Sequence, residues 1–246
     1  MRKPPPAPST PAKRLEFRIR GREMNRIEAV SDVVFGFALT LLVVSLQVPR
    51  TYAELVATMR GFPAFALTFA MLMMVWARHY YFFRNYGLDD AATIVLNTLL
   101  LFVVLFYVYP LKFLFNVVLE PLTGAANPGP PSALQPVLQN ADARGLMVIY
   151  GSGYAAVCLA LAAMFWHAYR MRGALGLNAF EIAHTTASMI AQLLNAGVGL
   201  LSISVALMLK PAQAGYAGSV YLLVPVLLNV HGRLWRRRKR ALAPEF

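Results

Sequence analysis

The run Arg26-Ile27-Glu28-Ala29-Val30-Ser31-Asp32-Val33-Val34-Phe35-Gly36-Phe37-Ala38-Leu39-Thr40-Leu41-Leu42-Val43-Val44 decides how this chain is read. From Ala29 it stays apolar to Val48 and stops at Pro49, about the 20 residues a helix needs to cross a bilayer. Five more segments of that kind follow, at residues 62–83, 91–113 (with Pro110 near its end), 146–169, 180–209 (ending before Pro211) and 216–230. The reading is an all-α, polytopic membrane protein with six transmembrane helices. Composition agrees: 58% of the 246 residues are hydrophobic and 14% charged, against roughly 25% charged in soluble domains. Mean hydropathy is +0.54. A water-soluble fold has too much surface to hide so much apolar side chain.

The formal net charge of +12 first suggests nucleic acid. Here, however, the charge sits at the two ends and in short loops, and no basic–aromatic recognition module is visible, so nucleic acid is not an expected partner. Six spans place both ends on one side. That side carries 18 of the 23 lysines and arginines, leaving Arg50, Arg60, Lys112, Arg144 and Lys210 on the other. The excess of positive charge marks the cytoplasmic face, so the expectation is a multi-pass protein of the cell membrane with both termini cytoplasmic. Residues 1–26 are basic and rich in proline, lack the apolar stretch of a signal peptide, and are expected to form a disordered cytoplasmic tail. Residues 27–232 form the six-helix membrane domain, and residues 233–246 a second basic tail, whose Arg236 to Arg240 run reads as a topology anchor.

Local signals refine this picture. Asn178 followed three residues later by Glu181 predicts a capping box at the start of the fifth span. Residues 51–60 read as a short interfacial turn of helix, and the Pro- and Gly-rich stretch 127–131 as an irregular exposed loop. No internal repeat of the first span appears in the fourth, which argues against a two-halved transporter. A central pore then needs several copies, and identical copies favour a symmetric ring.

Polar groups inside spans are costly and have partners or face water. Asp32 lies just inside the first span, Trp76 and His79 share a helix face near the end of the second, and Asn97 lies near the same depth in the third. With Ser31 they form a candidate hydrogen-bonded cluster, either inter-helix glue or a direct ion or proton site. Arg26 lies six residues before Asp32, beyond direct i,i+4 reach, so its partner is on another helix or another subunit. On the fifth span Glu181, Thr185, Ser188, Gln192, Asn195, Gly199 and Ser202 recur at alternating spacings of four and three. That polar and small face reads as a packing seam or a water-lined crevice. His167 and His184 lack metal-ligand spacing, and the single cysteine, Cys158, reads as a small core hydrophobe. No metal or cofactor is expected. No nucleophile–base pair or phosphate loop is present, so an enzyme is not expected either.

The Arg26-x-x-x-Val30-Ser31-Asp32 opening resembles the Arg-x-x-x-Phe-Ser-Asp motif of the transmembrane-protein-175-type potassium channels and their bacterial relatives. Residues 33–40 resemble that family's first helix, Trp76-x-x-His79 its Trp-x-x-His motif with a second histidine replaced by Tyr80, and Leu96-Asn97 with the following leucine-rich run and Pro110 its third helix. The match covers about the first 110 residues. The resemblance implies a homotetramer conducting potassium ions across the lipid bilayer, its pore lined by the first helix of each identical subunit. It further implies a narrow point of bulky apolar side chains. The constriction position, six residues after the motif serine, is Phe37; Leu41 and Val44 form the next layers, and the family's threonine is retained as Thr40. Such a neck gates by dewetting, with Thr40 and Ser45 as nearby polar groups. Phe37, Leu41 and Val44 at i, i+4 and i+7 equally describe a helix face packed on neighbours. The chain departs from the family pattern at Val30, in place of the motif phenylalanine, and at Phe37, in place of isoleucine or leucine. The competing reading is a proton-coupled or other secondary transporter using Asp32 and His79.

Overall fold

The computed structural model describes residues 17–21, 23, 25–45, 48–123 and 142–242. Among the described residues, seven α-helices follow in order: α1 (Arg26–Val44), α2 (Tyr52–Arg60), α3 (Phe62–Tyr86), α4 (Ala91–Thr123), α5 (Asp142–Arg170), α6 (Ala179–Met208) and α7 (Leu223–Leu242). A 3-10 segment, Pro211–Leu222, feeds directly into α7. Six helices are long and apolar enough to span a membrane, the last of them running through the 3-10 segment and α7 as Gln213–Lys239. The polytopic all-α reading therefore stands, while several ends move. α1 closes at Val44 instead of Val48, where the Ser45 amide donates to the Leu41 carbonyl. α4 passes through Pro110 and continues to Thr123; an internal proline is tolerated in membrane helices, where neighbours satisfy the freed backbone groups. The stretch 127–131 lies outside the described residues.

Short-range chemistry sets several boundaries. Thr51 caps α2, its hydroxyl accepting the Glu54 amide at 3.2 Å, and no residue of α2 is buried. Gly87 ends α3 with φ of 60°, in the left-handed region open to glycine. The expected capping box is present at α6: the Glu181 amide donates to Asn178 Oδ1 at 2.8 Å, and the Asn178 amide donates to Glu181 Oε2 at 3.0 Å. Asp90, just ahead of α4, faces His167 near the end of α5, with Nε2 2.9 Å from Oδ2. Desolvation pushes the Asp90 carboxyl upward, but hydrogen bonds from Thr93 and His167 outweigh it and hold it below its ordinary value.

The core gathers Phe35 and Leu42 of α1, Phe82 and Tyr86 of α3, Leu100 and Val104 of α4, and Leu161 and Met164 of α5. α5 and α6 form the tightest pair. A β-carbon on Gly199 would lie 3.1 Å from the Gly151 carbonyl oxygen, and one on Gly151 only 2.5 Å from the Ile203 side chain. The backbones meet because neither residue has a side chain, as small residues permit in membrane helix pairs. α1 lies at one edge, on α3 and α4, and α7 at another, on α6.

Both ends carry structure among the described residues. Within the expected disordered tail, residues 17–21 dock as a strap. Phe17 packs edge-on to Tyr86 and His184, at 5.3 and 5.4 Å between ring centroids. The Arg20 and Gly21 amides both donate to the Arg84 carbonyl at 3.1 Å. Arg18 and Arg20 reach Glu181, whose side chain is fully buried, at 3.1 and 2.7 Å. A lone carboxylate at a helix start cannot stay buried without cations, and the strap brings two. Residues 1–16 lie outside the described residues. At the other end, α7 carries the basic run from Arg233 onward as helix to Leu242.

Candidate functional site

The polar residues singled out in the first three spans meet at one level of the bundle, in two linked pieces. Asn97 of α4 stands between α1 and α3: its Nδ2 donates to Ser31 Oγ at 2.9 Å, and its Oδ1 pairs with His79 Nε2 at 2.8 Å. Ser31 in turn donates to the Ile27 carbonyl at 2.7 Å. Ser31 and His79 are fully buried and Asn97 nearly so. Alongside, the Trp76 indole N–H donates to Asp32 Oδ1 at 2.8 Å. Trp76 also stacks on Tyr80, the residue that replaces the second histidine of the motif, with ring centroids 5.6 Å apart. Asp32 and His79 thus bond to different partners and not to each other. Arg26 is exposed and makes no hydrogen bond or ion pair among the described residues.

Helix spacing explains why this cluster faces inward. Glu28, Ser31, Phe35, Ala38 and Leu42 are buried along one side of α1 at steps of three and four, the same-face period of a helix. Phe35 lies against His79, 5.6 Å between centroids, so an aromatic ring from the next turn covers the hydrogen-bonded group. Asn97 is the residue both pairs depend on. Replacing it with leucine leaves Ser31 and His79 each short of a partner, at about 1–3 kcal/mol per buried group. The expected outcome for Asn97→Leu is a loss of about 2–6 kcal/mol, measured by thermal unfolding in detergent. A melting curve like that of the wild type would contradict it.

The opposite side of α1 is exposed among the described residues. Val30, Val33, Phe37 and Val44 are more than half exposed, and Thr40 and Leu41 share that face. Phe37 is 62% exposed, so the constriction residue suggested by the resemblance points away from the described bundle. The Thr40 hydroxyl bonds the Gly36 carbonyl at 2.9 Å and remains on the exposed side. Ser45 departs from its expected place among the pore-facing polar groups. Its hydroxyl receives Lys112 Nζ of α4 at 2.6 Å, and its carbonyl receives the same ammonium at 3.2 Å. Helix α1 ends there, so Ser45 serves to tie the C-terminal end of α1 to α4. Sequence spacing alone missed Lys112; an isolated lysine at the far end of an apolar helix was the signal available.

Similarity to known proteins now bears on this geometry. The sequence profile described as endosomal/lysosomal potassium channel TMEM175 matches residues 26–107, which hold α1, the polar cluster and the first half of α4. A potassium channel of Marivirga tractuosa is 40% identical over 236 residues, 92% of this chain and 93% of that protein. The chain belongs to the TMEM175 potassium channel family. A second relative, a potassium channel of Streptomyces collinus, is 27% identical over 206 residues, 74% of this chain and 90% of the relative. Among solved structures, a variant of the potassium channel MtTMEM175, crystallised with a nanobody–MBP fusion, superposes with a TM-score of 0.78 at 38% identity, covering 91% of this chain and 98% of that one. The lysosomal potassium-selective channel TMEM175 homolog from Chamaesiphon minutus shares the fold, with a TM-score of 0.53 at 21% identity over 84% of this chain and 96% of that one. The TMEM175 resemblance drawn from the first 110 residues therefore extends through α5, α6 and α7, where no short motif signalled it.

Proposed function

We propose that four copies of this chain assemble around an axis in the cell membrane, with both termini cytoplasmic, and form a potassium-permeable channel whose narrow neck is made by Phe37, Leu41 and Val44 of α1. The observation that carries this reading is the division of α1 into two faces. One face is locked into the subunit through Ser31, Phe35, Ala38 and Leu42; the other presents Val30, Val33, Phe37, Thr40, Leu41 and Val44 as exposed side chains among the described residues. A rigidly held helix with an apolar outer stripe is what a hydrophobic constriction requires, because water leaves a narrow apolar neck unless the walls move apart. The homologous potassium channels support the ion, and the lysine and arginine excess supports the orientation.

The polar cluster serves in this reading as the fixture of α1, holding its register against α3 and α4 from behind. Asp32 and His79 act there as partners of Trp76 and Asn97. The test is direct. Purified protein in liposomes loaded with potassium is expected to pass the ion down its gradient, and the particle is expected to show fourfold symmetry with Phe37 at the axis. Absence of flux in vesicles containing intact particles, or Phe37 facing the lipid, would overturn the proposal.

A further inference from the structure

A cavity of about 250 Å³ lies inside the subunit, away from α1, where α3, α4, α5, α6 and α7 converge. Leu72, Val104, Val157 and Leu161 are among its walls, which makes most of its lining apolar. Into it face two side chains from consecutive turns of α6, Gln192 and Asn195. They are 2% and 5% exposed, and neither makes a hydrogen bond among the described residues. Two other polar groups of the lining are engaged: the Thr68 hydroxyl donates to the Ala64 carbonyl at 2.8 Å, and the Tyr107 hydroxyl donates to the Tyr150 carbonyl at 3.2 Å.

Each carboxamide offers one acceptor oxygen and two N–H donors, and a buried polar group without a partner is costly. On the same α6 stripe, Thr185 and Ser202 are hydrogen-bonded. Thr185 pairs with the Tyr86 hydroxyl at 2.7 Å, and Ser202 donates to the Ala217 carbonyl at 3.0 Å. Gln192 and Asn195 lie between these two hydrogen-bonded positions, at the level of the empty space.

We infer that this cavity is a binding site for a small uncharged amphiphile, an alcohol or amide with a short apolar body, whose polar end both donates to and accepts from Gln192 and Asn195. The buried polar groups are neutral and match a neutral hydroxyl or amide. Arg78 and Met74 flank the cavity at its exposed margin, where a guanidinium keeps its water. At about 30 Å³ per water-sized group, the volume holds roughly eight such groups, the size of a medium-chain alkanol. The ligand enters from the bilayer, where such amphiphiles partition, and its body bridges α7 to α3. The site is independent of the conduction path proposed for α1.

The test uses the full chain in detergent with a diazirine-bearing octanol as photolabel and mass spectrometry to locate it. Saturable labelling of the cavity walls is expected, displaced by octan-1-ol and at least about fivefold less well by octane or by octanoate, the difference expected for losing one or two hydrogen bonds. The paired substitution Gln192→Leu and Asn195→Leu is expected to weaken displacement by octan-1-ol about tenfold, and Val157→Phe to abolish labelling by filling the space. Labelling that does not saturate, equal displacement by octane, or stronger displacement by octanoate would overturn the inference. Each of these is read on the wild-type protein alone. Ordered water as the sole occupant would appear as no displaceable labelling and would overturn it as well.

Discussion

Glu181→Ala is expected to destabilise the protein by about 3–5 kcal/mol, the range for removing one partner of a buried ion pair. The carboxylate is fully buried and accepts from three directions. Arg18 approaches through its amide at 3.0 Å and its guanidinium at 3.1 and 3.2 Å; Arg20 approaches at 2.7 and 3.2 Å; the Asn178 amide approaches at 3.0 Å. Alanine strands Arg20, whose side chain is 17% exposed, and removes the return half of the capping box. Arg18 is 61% exposed, so Arg18→Ala is expected to cost little, as for other solvated ion pairs. Thermal unfolding in detergent gives the stability. Limited trypsin digestion gives the local consequence, since a released strap exposes cleavage after Arg18 and Arg20. If Glu181→Ala melts like the wild type and its strap stays protected, the carboxylate does not hold the segment.

Phe37→Ala is expected to raise potassium flux by roughly tenfold, equivalent to lowering the barrier by about 1.4 kcal/mol, and to weaken discrimination between potassium and sodium. In the proposed assembly four phenyl rings give way to four methyl groups at the narrowest layer. A wider apolar neck stays wet more of the time, while ions pass with more of their hydration shell and the walls discriminate less. Phe37 is exposed in the single chain and its neighbour Ala38 is fully buried. The substitution is therefore expected to leave folding intact, which an unchanged melting curve will show. Liposome flux in separate potassium and sodium gradients supplies both readouts. Flux unchanged by alanine at Phe37, Leu41 and Val44 would remove α1 from the conduction path.

The membrane helices were legible because hydropathy is a local property. Twenty apolar residues in a row have few alternatives to a spanning helix, whatever packs beside them. Helix ends were less legible, since α4 runs on through Pro110 to Thr123 and α7 runs past Val230 to Leu242. The polar cluster was half legible. Ser31, Asp32, Trp76, His79 and Asn97 stood out as polar groups in apolar surroundings, but sequence spacing could not say that Asn97 joins Ser31 to His79 while Trp76 takes Asp32. The capping box at Asn178 was legible because both partners lie within one turn. The rest of what Glu181 does was not, because Arg18 and Arg20 lie some 160 positions away in sequence and nothing local in a basic, proline-rich segment announces a distant acid.

By itself, the sequence determined that the chain lives in a bilayer, how many times it can cross, and which polar residues are too costly to leave unpartnered there. Tertiary structure alone decided which way each helix is turned. It placed Phe37 outward and Ser45 on Lys112, docked the strap at Glu181, and left Gln192 and Asn195 facing a cavity. The physical reason is that crossing a membrane depends on the summed solvation of consecutive residues, whereas rotation about a helix axis is set by contacts between residues far apart in the chain.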